Sequence, residues 1–284
     1  IYPSGMSRAI AFVYFVQKYE KISIFVRYKP NQMIGIFDSG AGGLSVFREI
    51  YRLLPEERYI YYSDNANCPY GEKSREYIIE RAREITSYLI GHGADIIVVA
   101  CNTATAAAIG TLRNEFPVPF IGMEPAVKPA AQVTRTGVVG VLATAGTLKA
   151  TKYIDTRERW AHDVKIVEHI GKGFVELVEN GTIIGEEAEA VVEKSIRPLI
   201  DAGADTIVLG CTHFPFALKQ IRQIVGERTA IIDGAAGTVR EALRQLERRD
   251  LLTGRSHGGI VEMIQSGSDG EWLRRAKELL DTRK

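Results

Sequence analysis

Residues 93–103 have the sequence GADIIVVACNT and residues 203–213 have the sequence GADTIVLGCTH, so one pattern occurs twice in this chain. In each copy a Gly-Ala-Asp turn precedes a short run of mainly β-branched residues, and the run ends on a cysteine. An apolar run of this length predicts a strand that is buried on both faces, as in a parallel sheet covered by helices. Cys101 and Cys211 then lie at the carboxyl ends of two strands, where open α/β sheets bind ligands. The repeat predicts two similar halves that each present one thiol to a shared ligand.

The repeat also includes the first strand of each half. Residues 35–39 (GIFDS) are matched by residues 140–144 (GVLAT), and strands alternate with helical patterns from Met33 onward. The pattern includes a short strand over residues 116–121, a helix near residues 148–160 and a helix over residues 186–201. This order predicts an α/β fold with two pseudo-symmetric, doubly wound domains, mainly parallel sheets and an active site in the cleft between them.

The domain boundaries follow from the same pattern. We expect a first domain of residues 33–122 and about 236–284, and a second domain of residues 123–235. Residues 1–32 are expected to be an upstream extension that is not part of the fold, because the pattern begins only at Met33.

Composition and charge limit the classes of function. The chain has 284 residues, of which 45% are hydrophobic and 25% are charged, as in a soluble globular protein. Its net charge is +1, but the five basic residues and one acidic residue of residues 1–32 contribute +4, which leaves −3 for the rest. There is thus no basic surplus for nucleic acid. The apolar run at residues 9–16 is too short to cross a bilayer, so no membrane partner is expected.

The chain contains three cysteines and no Cys-x-x-Cys motif. This pattern favours neither a disulfide framework nor a zinc site, so we expect a cytoplasmic protein without a metal. A single cysteine in an apolar strand is usually an inert hydrophobic residue. Two cysteines at matching strand ends favour catalysis instead, because a thiol near a helix N-terminus ionises more readily. His213 could exchange a proton with Cys211, whereas Cys68 is expected to be a bystander in a turn.

A glycine-rich turn follows the first strand. Residues 40–45 (GAGGLS) nearly match the dinucleotide motif G-x-G-x-x-G, and Asp64 ends the next strand about where a ribose-binding acid would stand. However, Ser45 replaces the third glycine, and the charge of Asp38 would repel a pyrophosphate. Asp38 beside Ser39 is better suited to meet an ammonium group or to orient a thiol. The alternative is that Asp38 only caps a helix.

Small hydroxyl side chains follow the same strand ends. They could be helix caps alone, or they could hold a carboxylate together with free backbone N–H groups. The residues concerned are Thr103, Thr144, Thr147 and Thr212.

The chain contains, in this order, the segments IGIFDSGAGGLSV, CPYG, VVACNTATAAA, LATAGT and LGCTHFP. Together these segments resemble the glutamate racemases of the cofactor-independent aspartate/glutamate racemase superfamily. The resemblance covers the chain from Met33 onward. It implies interconversion of free L- and D-glutamate by two bases without a cofactor or metal. It also implies a supply of D-glutamate for peptidoglycan synthesis and a homodimer.

The resemblance also implies roles for residues. Cys211 would deprotonate L-glutamate and Cys101 would deprotonate D-glutamate, with Asp38 assisting Cys101 and His213 assisting Cys211. Glu179 matches an assisting acid near His213, although the preceding residues 171–178 (GKGFVELV) depart from the family's usual Cys-Pro and Val-Pro-Leu-Val run. The implied substrate-holding positions are Ser39, Tyr70, Gly71, Asn102, Thr103, Thr144, Thr147 and Thr212.

Three other functions remain open at this point. A racemase of aspartate or a related acidic amino acid would need the same two thiols and a different side-chain pocket. A nucleotide-binding domain would use Gly40–Gly43, and a non-catalytic protein would bind an acidic metabolite without needing either cysteine.

Overall fold

The computed structural model describes residues 10–12, 32–252 and 259–281. Within residues 1–32, which we expected to lie outside the fold, Ile10–Phe12 forms strand β1 and pairs antiparallel with Val261–Gln265. The other residues before Gln32 lie outside the described part of the chain.

Strands and helices alternate through the described residues, as the pattern predicts. The strands are β1 (Ile10–Phe12), β2 (Met33–Asp38), β3 (Arg58–Ser63), β4 (Ile96–Val99), β5 (Phe120–Gly122), β6 (Val138–Ala143), β7 (Lys165–Ile170), β8 (Thr206–Gly210), β9 (Ala230–Asp233) and β10 (Val261–Gln265). The helices are α1 (Leu44–Leu53), α2 (Arg75–Gly91), α3 (Asn102–Glu115), α4 (Val127–Val133), α5 (Ala145–Leu148), α6 (Thr151–Trp160), α7 (Phe174–Asn180), α8 (Glu186–Asp201), α9 (Leu218–Val225), α10 (Ala235–Arg248) and α11 (Trp272–Asp281).

The strands form two separate sheets. The first has the order β1-β10-β3-β2-β4-β5 and the second has the order β7-β6-β8-β9, and every pairing except that of β1 is parallel. In the first sheet the chain continues from β2 to β3 on one side and then returns to β4 on the other side of β2. In the second sheet it places β7 and β8 on opposite sides of β6 in the same way. The topological switch points therefore lie between β2 and β4 and between β6 and β8, and ligands bind at such points in open α/β sheets.

The sequence repeat has the same register in both sheets. Gly35 of β2 lies opposite Ile97 of β4, and Gly140 of β6 lies opposite Ile207 of β8. At Gly140 an added Cβ would lie 3.0 Å from the Leu199 Cβ, so the absent side chain lets helix α8 pack directly on the strand. The two thiols consequently follow equivalent strands in two equivalent scaffolds.

The aspartate of each repeat joins two strands at their amino ends. Asp95 accepts a hydrogen bond from the Met33 N–H at 3.0 Å. Asp205 accepts from the N–H groups of Arg135 and Thr136 at 2.8 and 3.1 Å, and from the Thr134 hydroxyl at 2.6 Å. These carboxylates lie at the edge opposite to the cysteines, so their role is structural.

Each sheet is covered by helices on both faces, which explains why the inner strands β2, β4, β6 and β8 are largely apolar and buried. In the first sheet, α1, α10 and α11 pack on one face, and α2 and α3 pack on the other. In the second sheet, α7, α8 and α9 pack on one face, and α4 and α6 pack on the other. None of the helices in the described residues is long and apolar enough to cross a membrane.

Three segments differ from the sequence-based expectation. A strand expected over residues 116–121 is confined to Phe120–Gly122, because Pro117 and Pro119 lack the N–H that a strand ladder uses. The helix expected near residues 148–160 occurs as α6, which begins only at Thr151, and the separate short helix α5 precedes it. Helix α4 was not expected, since it is short and contains Pro129.

Within the residues that the structure describes, the chain passes between the two sheets twice, and the two passages touch. The first runs through Met123 and Glu124 after β5, and the second through Gly234 between β9 and α10. A Cβ at Gly234 would lie 2.9 Å from the Glu124 carbonyl oxygen, so the two backbones are in close contact.

Candidate active site

Cys101 lies where β4 ends and α3 begins. It is the N-cap residue of α3, and its Sγ accepts a hydrogen bond from the Ala104 N–H at 3.4 Å. The thiol can donate to the Ser39 Oγ at 3.7 Å. Burial raises the pKa of Cys101 well above its usual value, and the nearby Asp38 charge raises it further, against the lowering effect of the Ala104 N–H. Cys101 is therefore a protonated thiol in the free protein, able to deliver a proton.

Asp38 is fully buried at the end of β2 and connects the two halves. Its Oδ1 accepts from the Ser39 N–H at 2.6 Å, and its Oδ2 accepts from the Gly43 N–H and from the Thr212 hydroxyl, the latter at 3.2 Å. Burial raises the pKa of Asp38, while the His213 charge and a hydrogen bond with Cys101 oppose this effect. Asp38 thus organises the turn before α1 and also contacts the Cys101 thiol.

Cys211 follows β8 and begins a chain of polar contacts. Its Sγ lies 3.7 Å from Nδ1 of His213, and Nε2 of His213 lies 2.6 Å from Oε1 of Glu179. Both Cys211 and His213 are buried, with relative exposures of 8% and 2%. The arrangement resembles other thiol-imidazole-carboxylate groups, in which the carboxylate orients the imidazole and stabilises its charged form.

In this series of contacts, His213 and Glu179 stabilise each other's charged forms. Burial alone would lower the pKa of His213, but hydrogen bonds with Cys211, Cys68 and Glu179 raise it well above its usual value. Burial likewise opposes ionisation of Glu179, yet His213 holds the Glu179 pKa below its usual value. The site therefore favours an imidazolium beside a carboxylate, and this imidazolium lies within reach of Cys211.

The two thiols share one electrostatic environment. The Cys211 charge contributes to the raised pKa of Cys101, although less than burial and the Asp38 charge. One thiol comes from each sheet, and each has its own partner for proton exchange. The arrangement can remove a proton on one side of a bound molecule and deliver one on the other.

The glycine-rich turn brings the two halves together and does not form a phosphate cradle. The Ala41 N–H donates to Glu179 at 2.6 Å, and the Gly43 N–H donates to Asp38. A Cβ at Gly40 would overlap the Glu179 carboxylate, and a Cβ at Gly42 would overlap the His213 ring. These two amides are already bonded and the side chains of the other half fill the turn, which argues against a nucleotide site.

Asp64 does not stand as a free ribose-binding acid either. Its carboxylate accepts from the guanidinium of Arg81 at 2.8 and 3.0 Å and from the hydroxyl of Tyr70. Tyr70 is buried, and Cys101 lies in the same apolar cluster. The network therefore fixes the Tyr70 ring beside the first thiol.

Three of the four threonines meet on the side of the site formed by α3 and α5. The hydroxyl of Thr103 lies 3.1 Å from that of Thr144 and 3.4 Å from that of Thr147, and Thr144 donates to Thr147 at 3.0 Å. Gly71 packs against them, because its Cβ would lie 3.0 Å from the Thr144 Cβ. Thr212 is separate from this group and bonds Asp38.

The remaining sequence-predicted positions lie beside these groups. Ser39 directly follows Asp38, and Asn102 is the half-buried first residue of α3. Sequence reasoning missed the contacts of Cys68 with His213 and Glu179, where burial raises the pKa of this thiol to about 11. It also missed Arg81, and neither residue belongs to a pattern that could have revealed these contacts.

Comparisons with known proteins agree with this geometry. The sequence family described as Asp/Glu/Hydantoin racemase matches residues 34–242. A glutamate racemase of Herpetosiphon aurantiacus is 44% identical over 244 residues, which is 86% of this chain and 96% of the relative. The crystal structure of a glutamate racemase isoform from Bacillus anthracis has a TM-score of 0.81 at 32% identity, and the match covers 90% of this chain and 96% of that chain.

A second solved structure is the Escherichia coli glutamate racemase in complex with L-glutamate and the activator UDP-MurNAc-ala. It has a TM-score of 0.76 at 34% identity, and the match covers 88% of this chain and 93% of that chain. With two thiols at equivalent strand ends and these extended similarities, the chain belongs to the Asp/Glu/Hydantoin racemase family.

Proposed function

We propose that this chain is a glutamate racemase that interconverts L- and D-glutamate with two cysteines as acid and base. The observation that carries the proposal is that Cys101 and Cys211 follow equivalent strands of the two sheets, each with a different partner for proton exchange. Inversion of a stereocentre needs a proton removed from one face and a proton added to the other. Two thiols on two facing scaffolds meet this need without a cofactor.

The partners of the two thiols support a different role for each. Cys211 lies 3.7 Å from Nδ1 of His213, close enough to exchange a proton with the imidazole, so Cys211 acts as the base toward L-glutamate. Cys101 has a raised pKa and acts as the acid. Cys211 takes the Cα proton and leaves a carbanion, Cys101 then gives its own proton to the opposite face, and the product is D-glutamate. The reverse reaction starts from the exchanged protonation states.

The other site residues hold the substrate and stabilise the carbanion. The Cα proton is weakly acidic, so donors must be aimed at the α-carboxylate and water must be excluded. We assign this role to the threonine hydroxyls at the start of α3 and α5, with backbone N–H groups of the same turns. Ser39, Tyr70, Gly71, Asn102 and Thr212 complete the binding residues.

We extend the proposal to the cellular role of the reaction. D-glutamate is a building block of the peptidoglycan stem peptide, so the product would enter cell-wall synthesis. We place the enzyme in the cytoplasm as a homodimer. The resemblance of residues 33–284 to glutamate racemases supports both statements.

A racemisation assay with single cysteine variants tests the function. Circular dichroism of L-glutamate, D-glutamate and both enantiomers of aspartate should show that the protein inverts glutamate. Cys101→Ala and Cys211→Ala should each abolish racemisation, whereas Cys68→Ala should retain most of it. Solvent deuterium should enter Cα during turnover.

Some outcomes contradict the proposal. Inversion of aspartate alone would make the chain an aspartate racemase. Full activity in either Cys101→Ala or Cys211→Ala would exclude the two-thiol mechanism.

A further inference from the structure

Cys68 lies in a cluster with His213 and Glu179, and the proposed racemisation gives Cys68 no role. Its Sγ, a ring nitrogen of His213 and a carboxylate oxygen of Glu179 all lie within 4.8 Å of one another. The three residues come from three separate segments: the loop after β3, helix α7 and the turn after β8. Their meeting depends on the contact between the two halves of the chain.

The three donor atoms match the preferences of one class of metal ion. Thiolate sulfur, imidazole nitrogen and carboxylate oxygen are the usual ligands of zinc, whereas magnesium and calcium prefer oxygen alone. Ligand bonds of about 2.0–2.3 Å in a tetrahedral site place neighbouring donors roughly 3.3–3.8 Å apart. The donors here need to move by only about 1 Å to reach that spacing.

The site is also accessible to an ion. Cys68 is half-buried and the Glu179 side chain is 17% exposed, whereas His213 lies behind them at 2%. An ion can therefore reach the thiol and the carboxylate first and then the imidazole. With three protein ligands, the fourth position stays open to water.

We propose that Cys68, His213 and Glu179 form an inhibitory site for zinc and similar thiophilic divalent cations. Binding replaces the hydrogen bond between His213 and Glu179 by bonds from both groups to the ion. The Cys68 thiol and the His213 imidazolium each release one proton to solvent, and the resulting thiolate becomes the third ligand. The imidazole is then a metal ligand in its neutral form, so it can no longer exchange a proton with Cys211, and racemisation stops.

The binding part of this proposal is independent of the reaction, while the inhibition part rests on the proposed racemase function. Cys68 is suited to separate them, because it is the ligand that lies outside the proposed catalytic set. Replacing Cys68 removes the sulfur ligand and leaves the two proposed catalytic thiols, Cys101 and Cys211, in place. Cys68→Ser and Cys68→Ala are therefore parallel test variants, and the second removes any oxygen ligand as well.

The first measurement is metal binding without substrate, since glutamate itself chelates zinc. Bound metal is first removed from the protein with a chelator, and the protein is then titrated with Zn²⁺ in a calorimeter. In a parallel titration with Cd²⁺, the ultraviolet absorption of the cadmium–thiolate bond is recorded. We expect one ion per chain. The affinity should fall by at least about 10- to 100-fold in Cys68→Ser and Cys68→Ala, since loss of a partner that only supports a metal ligand already costs that much. Cys101→Ala should keep the full affinity, and Mg²⁺ should not compete.

The second measurement is inhibition of racemisation by Zn²⁺ and its reversal by a chelator. Wild type should be inhibited at the concentration that fills the site, and Cys68→Ser should remain active there. Zinc affinity that is unchanged in both Cys68 variants, or wild type that binds no Zn²⁺, overturns the site. If the chain binds Zn²⁺ through Cys68 but racemises nothing, the proposed function fails and the site stands.

Discussion

Replacing Glu179 by glutamine tests the chain of contacts that ends at Cys211. Glu179 accepts from Nε2 of His213 and from the Ala41 N–H, both at 2.6 Å. Glutamine keeps the shape and one acceptor oxygen but removes the negative charge. A hydrogen bond between charged groups contributes about 1.5–3 kcal/mol, so losing the charge should cost about 2 kcal/mol of imidazolium stabilisation. This corresponds to roughly a 30-fold decrease in kcat/KM.

Measuring the reaction from each enantiomer separately gives a second test of the assignment of Glu179 to the Cys211 side. Two enantiomers have equal free energies, so kcat/KM must fall by the same factor from L- and from D-glutamate. Isotope effects are not bound by this rule. Because Glu179→Gln slows the proton transfer at Cys211, that step becomes rate-limiting. The primary isotope effect with Cα-deuterated L-glutamate should rise, and the effect with Cα-deuterated D-glutamate should fall toward one.

The assay follows circular dichroism from both enantiomers, with and without Cα deuterium, in the presence of a chelator. Glu176→Gln is the matched control, because Glu176 is exposed on the same helix α7. It should leave both kcat/KM and the isotope effects unchanged. A decrease of less than threefold in Glu179→Gln, or isotope effects that change equally for both enantiomers, would refute the assignment of Glu179 to the Cys211 side.

Three further predictions concern other parts of the structure. Asp38→Asn should lower kcat/KM and shift the isotope effects in the opposite sense, because Asp38 contacts the Cys101 thiol; matching shifts in Glu179→Gln and Asp38→Asn would contradict the two-sided assignment. Tyr70→Phe should raise KM more than it lowers kcat in steady-state kinetics, since loss of the hydrogen bond to Asp64 loosens the ring but leaves both catalytic thiols in place. An unchanged KM would argue against a role of Tyr70 in substrate binding. Asp205→Asn should lower Tm by a few degrees in calorimetry at neutral pH, because burial opposes ionisation of Asp205 but its hydrogen bonds outweigh this and lower its pKa to about 2. A depressed pKa stabilises the fold above the unfolded value of about 3.9, so the Tm difference should persist from pH 8 to 5 and disappear as the pH falls from about 4 toward 2; a difference that grows on acidification would contradict the role.

The elements of the fold could be predicted because each depends on a local pattern. Helix α8 was expected over residues 186–201 and occurs there, since its apolar spacing and acidic first turn are both visible in the sequence. The repeat predicted the equivalent ends of β4 and β8, because an apolar run that stops at a cysteine is a local feature. The short helix α4 was missed, as it has neither a cap signal nor enough length for periodicity.

The contacts within the site were harder to predict from the sequence, because they join segments that are far apart along the chain. The sequence indicated that Asp38 and His213 belong to the site, but it gave no reason for Gly40 and Gly42 beyond a turn. Their absent side chains make room for Glu179 and His213, which come from the other half of the chain. For the same reason Cys68 was expected to be a bystander, since its neighbours in space are more than a hundred residues away.

The close contact between Gly234 and Glu124 has a mechanical consequence. Because both passages between the sheets lie side by side at this point, we expect a relative rotation of the sheets to pivot near Gly234. Such a pivot leaves strand register intact within each sheet and changes mainly the distance between the strand ends that carry the thiols. We expect this motion to set how tightly the thiols enclose the substrate, and a bulkier residue at position 234 to push the two passages apart, because its Cβ would lie 2.9 Å from a backbone oxygen.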